Sequence, residues 1–465
     1  MGKSIVEDGL KPVFYTANTV EMLERAAFYG MFISITLYLT EIVGFSDVNA
    51  GWIAGAFSAF LYFAPTVAGV LADKIGFKRA LLLAFVLLTA GYGIMGILHS
   101  KPMTIASLLL IMAGGAFIKS VITGTVAQCS SEENRASAFS VFYMMVNIGS
   151  FSGKTVSKFI RVGWGLEHIT LLSAALCAVS FFVVLFFFRN VDSAGEKRTL
   201  GDIWSGLVRV VCNVRFMSLI VIVGGFWAIQ HQLYATMPKY VIRTVGTGAS
   251  PEWYANVNPL VVVLLVAPIT ALTKRLRISP LASIGISLFL IPLSALVMSL
   301  SSAVSSRFGS SVSIFSFCVH PVTLTLLVGI AIQGVSECFL SPRFLEYASK
   351  QAPKGETALY MGYSHINSFF GNLLGFGISG YLLEKWCPDP SSLAPDVRAM
   401  IVSSNGFITS LPDAYAHAHY IWYVFAGIGL LAFVALLVFA RVTASIDARS
   451  EGGGLASGSG DRDGD

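Results

Sequence analysis

Three ionisable side chains, Glu21, Glu24 and Arg25, interrupt a largely apolar run from Phe14 to Leu39. At helical spacing they fall at i, i+3 and i+4, so they share one face and can pair. In a bilayer each lone charge near the centre would cost roughly 2.5–3.5 kcal/mol, which is tolerated where the face lines a protein interior or a water-filled cavity. The same reasoning singles out Lys119 in Gly114-Gly115-Ala116-Phe117-Ile118-Lys119, and Glu337, the one acid well inside the second half's apolar runs. Lys119 either pairs with Glu21 or Glu24, or offers a site for a substrate carboxylate beside Arg25. Lys154, seven residues and two turns beyond Asn147, either snorkels to the surface or adds positive charge to the cavity mouth. His231 is either a satisfied core residue or a proton site.

The elements that must position these groups follow from composition. Hydrophobic residues make up 55% of the chain and charged residues only 12%, with a mean hydropathy of +0.72. Soluble domains carry about 25% charged residues, so this reads as an integral multi-pass membrane protein whose partner is the lipid bilayer. Apolar stretches long enough to cross are expected near 14–40, 49–72, 79–98, 102–128, 136–160, 167–188, 216–242, 252–272, 280–300, 322–347, 357–383 and 416–440. An even number of spans puts both termini on one side. Most of the 31 Lys and Arg residues fall on that side, which makes both termini cytoplasmic in a plasma (inner) membrane. The net charge of +5 is thus explained by topology, without nucleic acid. Six scattered cysteines show no metal spacing, although Cys318 and Cys387 both fall in exterior loops and could pair. No triad-like arrangement points to an enzyme.

The expected organisation is an N-terminal six-helix bundle over residues 1–188 and a polar linker over 189–215 that carries an amphipathic helix from Leu200 to Val211. A C-terminal six-helix bundle follows over 216–441, then a disordered cytoplasmic tail over 442–465. The exterior loop from Pro388 to His419 either covers the mouth of the cavity or is variable filler.

Between spans two and three, Gly69-Val-Leu-Ala-Asp73-Lys74-Ile-Gly76-Phe-Lys78-Arg79 resembles the signature loop G-x-L-A-D-x-x-G-x-K-R of the major facilitator superfamily. Other motifs are similar to those of its proton-dependent oligopeptide transporter family. Glu21, Glu24, Arg25, Tyr29 and Gly30 match E-x-x-E-R-F-x-Y-Y-G, and Lys119 stands at the span-four lysine. Phe142-Tyr143 and Asn147-Ile148-Gly149-Ser150 match the span-five motif. Trp227 and Gln232 match F-W-x-x-x-x-Q, and Asn258-Pro259 matches N-P. Glu337, Ser341 and Pro342 match E-x-x-x-S-P, Ala352-Pro353 follows as A-P, and Tyr62 keeps the family's spacing before Asp73.

The resemblance implies an all-α fold of twelve transmembrane helices in two six-helix bundles. It also implies proton-coupled symport of di- or tripeptides by alternating access, driven by the proton gradient without a cofactor or metal, by a monomer. Carried over, Arg25, Tyr29 and Lys119 receive a peptide carboxylate, while Asn147, Asn258 and Glu337 receive its amine. Tyr62, Tyr143, Lys154, Trp227, Gln232 and Ser341 complete the expected substrate site, and Glu21, Glu24, Glu337 and His231 the expected proton-coupling set. The chain departs from the family at Ala26, Phe28, Phe32, Ser120, Lys154, Gln230, His231 and Ser364. Phe32 stands where many bacterial members have Arg, and Gln230 and His231 stand where they have acids, so an exterior gate must be held differently. Two further readings stay open: a proton-coupled transporter of another anionic or zwitterionic solute (an amino-acid conjugate, a peptide-like drug, nitrate), which Lys154 and the changed span-seven residues favour, and a non-transporting sensor on the same fold, which the retained charges disfavour.

Overall fold

The computed structural model describes residues 12–130, 135–189, 199–309, 312–314, 317–351, 360, 363–403, 408 and 411–457. Long apolar stretches can satisfy their backbone in lipid only as helices, and among the described residues twelve long helices form. They are α1 (Pro12–Phe32), α2 (Asp47–Ile75), α3 (Phe77–Ile97), α4 (Lys101–Gln128), α5 (Arg135–Gly163) and α6 (His168–Phe187), followed by α7 (Val214–Gln230), α8 (Val257–Arg275), α9 (Pro280–Ser299), α10 (Pro321–Gln351), α11 (Ile366–Trp386) and α12 (Tyr420–Ser457). Nine segments pass a strict length-and-hydropathy test for a span. The three that do not are α1, α5 and α11, and the first two carry the polar residues discussed above.

The buried apolar side chains separate into two cores. One is built almost wholly from residues 13–188 and the other from residues 210–439. Within the first, α1 packs on α5 through glycines. A Cβ on Gly149 would meet the Met22 carbonyl oxygen, and one on Gly153 would meet the Ala26 carbonyl oxygen. This is the small-residue contact that lets helices approach closely in lipid. Since neither obstacle is a flexible side chain, Gly153→Val is expected to force α1 off α5. Overpacking of this kind costs about 1–3 kcal/mol or more, and the measurement is the loss of monodisperse protein on size-exclusion chromatography.

Several boundaries differ from expectation. The first span breaks after Phe32, continuing as Ile35–Leu37 and a π-turn, Tyr38–Ile42. The seventh breaks at His231 and resumes as Gln232–Ala235 and Met237–Thr244, and the eighth is preceded by a separate turn, Pro251–Tyr254. An antiparallel hairpin, β1 (Val312–Ile314) and β2 (Phe317–Val319), precedes α10. The signature loop is a tight turn at Gly76, whose φ of +88° lies in the region that favours glycine, and Lys78 reaches across to the Leu185 carbonyl of α6 at 2.9 Å.

The amphipathic linker helix forms as Leu200–Cys212, opened by a capping box between Thr199 and Asp202. Tyr363 donates to its Ile203 carbonyl at 2.7 Å. Beyond the expected bundle boundary at 441, α12 runs through Ser457 and is joined to the start of α7 by a two-point ion pair between Arg215 and Asp447 at 2.8 and 2.9 Å. Residues 458–465 lie outside the described set, as do Lys197, Arg198, Ala352-Pro353, Lys354 and Met361-Gly362. Cys387 is a free, buried thiol, so the pairing with Cys318 is not made.

Candidate functional site

Polar and aromatic side chains from both halves enclose a cavity of about 240 Å³. This lies just below the roughly 300–1,000 Å³ typical of small-molecule sites. On the first half's wall, Arg25 is clamped by both glutamates of its helix. Its Nε donates to Glu24 at 2.6 Å, its Nη2 lies 2.5 Å from the same carboxylate, and Nε stands 3.3 Å from Glu21. The one-face pairing read from the spacing is therefore present. The guanidinium also lies 5.3 Å from the Phe28 ring centroid and 5.9 Å from that of Tyr29.

Lys119 does not join this cluster as an ion pair. Its Nζ sits 4.5 Å over the Tyr62 ring, and among the described residues no carboxylate lies within salt-bridge distance of it. Tyr62 is in turn stacked on His365, which immediately precedes α11, at 6.5 Å and meets His231 edge-on at 6.4 Å. Lys119 and His365 both remain exposed although they flank a ring inside the molecule, so solvent reaches them from within.

The second half supplies the opposite charge. Glu337 of α10 accepts from Gln230 Nε2 at 2.9 Å and from Asn258 Nδ2 at 3.4 Å, both on Oε2. Gln230 Oε1 and Trp227 Nε1 are buried without a hydrogen-bond partner. His231 Nδ1 lies 2.9 Å from the Trp227 carbonyl, within the helix break that turns its ring toward Tyr62.

Of the sequence-derived site residues, Glu24, Arg25, Tyr29, Tyr62, Lys119, Trp227, His231, Asn258 and Glu337 line the cavity. Glu21 is buried behind Arg25. Tyr143 is exposed, Asn147 donates to the Tyr143 carbonyl of its own helix at 2.8 Å, and neither is among the residues that line the cavity. Ser341 also lies outside the lining. Gln232 is completely buried between helices, donating to the Ala228 and Gly375 carbonyls at 2.6 and 3.1 Å and accepting from Thr236 at 2.6 Å. It ties α7 to α11, and Gln230 takes the cavity position two residues earlier.

Lys154 meets neither expectation. It is 1% exposed, its Nζ donates to the Ala255 carbonyl at 3.3 Å and lies 5.8 Å from the Tyr29 ring. Burial under the Pro251–Tyr254 turn removes both the route to the surface and the open cavity mouth.

That turn belongs to a seal between the halves at the end remote from the termini. Asp47, the first residue of α2, is held by Lys239 Nζ at 2.5 Å and by Arg243 at 2.7 and 3.1 Å, all three nearly devoid of solvent. Arg243 also donates to the Cys387 carbonyl at 2.6 Å and to Asp389 at 3.0 Å. Tyr415 donates to the Pro388 carbonyl and Ile408 to that of Val245, so described parts of the 388–419 loop dock here. A second pair, Arg161 with the fully buried Glu252, joins α5 to the same region at 2.5 Å. Beneath them Phe32 packs on Tyr234 and Phe376 at 5.0 and 5.9 Å. Phe32 thus adds a layer of rings beneath the ionic cluster. None of the ionic seal was read from the sequence, although Lys239 and Arg243 at i, i+4 after an apolar run were a visible signal.

The sequence model of the Major Facilitator Superfamily matches residues 19–308. A multidrug resistance protein MdtH of Salmonella arizonae is 22% identical over 400 residues, covering 86% of this chain and 92% of its own length. A dipeptide and tripeptide permease A of Citrobacter koseri is 20% identical, covering 79% and 84%. Among solved structures, a POT family transporter in complex with 5-aminolevulinic acid superposes at a TM-score of 0.71 with 18% identity, covering 93% of this chain and 96% of that one. A peptide transporter POT in complex with sulfate does so at 0.68 with 19% identity, covering 93% and 94%.

Proposed function

From a chain that belongs to the Major Facilitator Superfamily, we propose a secondary transporter that carries small peptides or peptide-like zwitterions together with protons, as a divergent member of the oligopeptide transporter family. The observation that carries this is the split of charge across one cavity, with Arg25 and Lys119 on one half and Glu337 on the other. A zwitterion bridges both halves only when its two poles are both met. Its binding is therefore worth more in a state that brings the walls together, which is what rocking alternating access requires.

The state described is closed at the end remote from the termini, by the Asp47 cluster and the Phe32 rings, and holds Arg25 on Glu24 and Glu21. Protonation of either glutamate loosens that clamp and leaves Arg25 free to join Lys119 on the substrate carboxylate, which links proton and substrate occupancy. The positive-inside pattern makes the sealed end exterior and the termini cytoplasmic, so substrate leaves toward the cytoplasm from this state.

Acid-driven uptake of alanyl-alanine into proteoliposomes tests the reading. Capping the amine by N-acetylation is expected to weaken competition by about as much as Glu337→Gln does, on the order of 10- to 100-fold for a lost charge-assisted hydrogen bond. Equal competition by free and N-acetylated dipeptides would remove Glu337 from amine recognition.

The cavity's modest volume and aromatic walls favour, as a second reading, a zwitterion smaller than a tripeptide. The match to a transporter bound to 5-aminolevulinic acid is in keeping with that. The same assay with that compound as competitor separates the two.

A further inference from the structure

We propose that Gln230 is a specificity-determining residue, whose side-chain carbonyl stands beside Glu337 as a second acceptor and selects a primary ammonium group. This rests on the reading of the cavity as a zwitterion site and goes beyond it in naming which amines are accepted.

The orientation of the amide follows from its partner. A carboxylate only accepts, so the Gln230 nitrogen must face Glu337, and its 2.9 Å bond to Oε2 turns the carbonyl the other way. That carbonyl oxygen is buried and has no partner in the protein, on a side chain only 6% exposed that lines the cavity. A buried acceptor left unpaired is costly, and among the described residues no donor is hydrogen-bonded to it.

Glu337 is arranged to match. Its Oε2 already takes the protein donors, Gln230 and Asn258, while neither of those bonds uses Oε1. The wall therefore presents one charged and one neutral acceptor. An ammonium with three N–H groups can donate to both at once, whereas a tertiary ammonium of equal charge has one N–H and can satisfy only one. An acid at position 230 would attract any cation. The neutral amide instead rewards the number of donors, so selectivity passes from charge to hydrogen-bond count.

The test compares alanyl-alanine with N,N-dimethyl-alanyl-alanine for binding to the purified full-length protein in lipid nanodiscs. The wild type is expected to bind the dimethyl ligand at least about tenfold more weakly, the loss typical of a hydrogen bond to a charged group. In Gln230→Met, which preserves bulk but removes the acceptor, both ligands weaken because Glu337 loses a donor. Their ratio is expected to collapse to within about threefold, the usual limit of non-additivity.

Gln230→Glu returns the selection to charge and is expected to narrow the ratio as well, which supplies a readout if the Met variant fails to fold. The same ratio in wild type and Gln230→Met overturns the assignment while leaving the zwitterion site standing. So does a wild type that binds both ligands alike. If neither ligand binds, the zwitterion reading falls and takes this assignment with it.

Discussion

Lys119→Ala is expected to abolish acid-driven dipeptide uptake while leaving the protein folded. The cation sits inside a cavity, exposed to its solvent, and faces a tyrosine ring at 4.5 Å instead of a carboxylate. Arg25, by contrast, is already committed to Glu24 and Glu21. Lys119 is therefore the positive group most available to an incoming carboxylate in this state. Truncating one partner of a desolvated charge pair costs about 2–5 kcal/mol, or roughly 30-fold to several thousand-fold in affinity. Folding loses only the contact with Tyr62, worth about 0.5–2 kcal/mol. Thermal melting should thus move little while counterflow of radiolabelled alanyl-alanine disappears, and Lys119→Arg should restore part of it. Undiminished accumulation by the alanine variant would sink the proposed carboxylate site.

The second large effect is expected at the seal. Asp47 neutralises two cations, Lys239 and Arg243, that are each 1% exposed. Removing one partner of a buried ion pair typically costs about 3–5 kcal/mol, because the remaining charge stays desolvated. Asp47→Asn should levy that cost on the sealed state alone. Opening the same end hydrates both cations, so the equilibrium shifts toward the open form by about 100-fold or more. Spin labels at the exposed positions Val162 and Glu384, on opposite halves, report it as a lengthened distance distribution. Lys239→Ala, which leaves Arg243 on Asp47 and Asp389, should shift it far less. An unchanged distribution in Asp47→Asn would show that Arg161–Glu252 and the Phe32 rings hold the seal without Asp47.

The contrast between Lys119 and Asp47 also explains what could be read in advance. Charges in the middle of apolar runs are costly in lipid, so Glu21, Glu24, Arg25, Lys119 and Glu337 stand out in the sequence, and the i, i+4 spacing gives the Arg25 clamp directly. Asp47 lies at a helix start beside Ser46 and Asn49, where polar residues are ordinary, and its partners are 192 and 196 positions away. Lys154, a departure from the family pattern, and Gln232, a motif position, are each engaged with backbone carbonyls, a use that no spacing distinguishes from ligand binding.

The chain by itself determined that it lives in a membrane, how many times it crosses, and which charged residues stand inside its apolar runs. Those properties follow from hydropathy, charge and helical period, which are local. Three matters were decided only by tertiary packing. Lys119 faces the Tyr62 ring and no carboxylate, a cluster around Asp47 closes one end, and Gln230 gives its amide nitrogen to Glu337 and leaves its carbonyl unpartnered. Each depends on which helix from the other half, or from a distant part of the same half, comes to lie against the residue. Two bundles of nearly interchangeable apolar helices settle that through glycine contacts and ring packing, and not through any pattern along the chain.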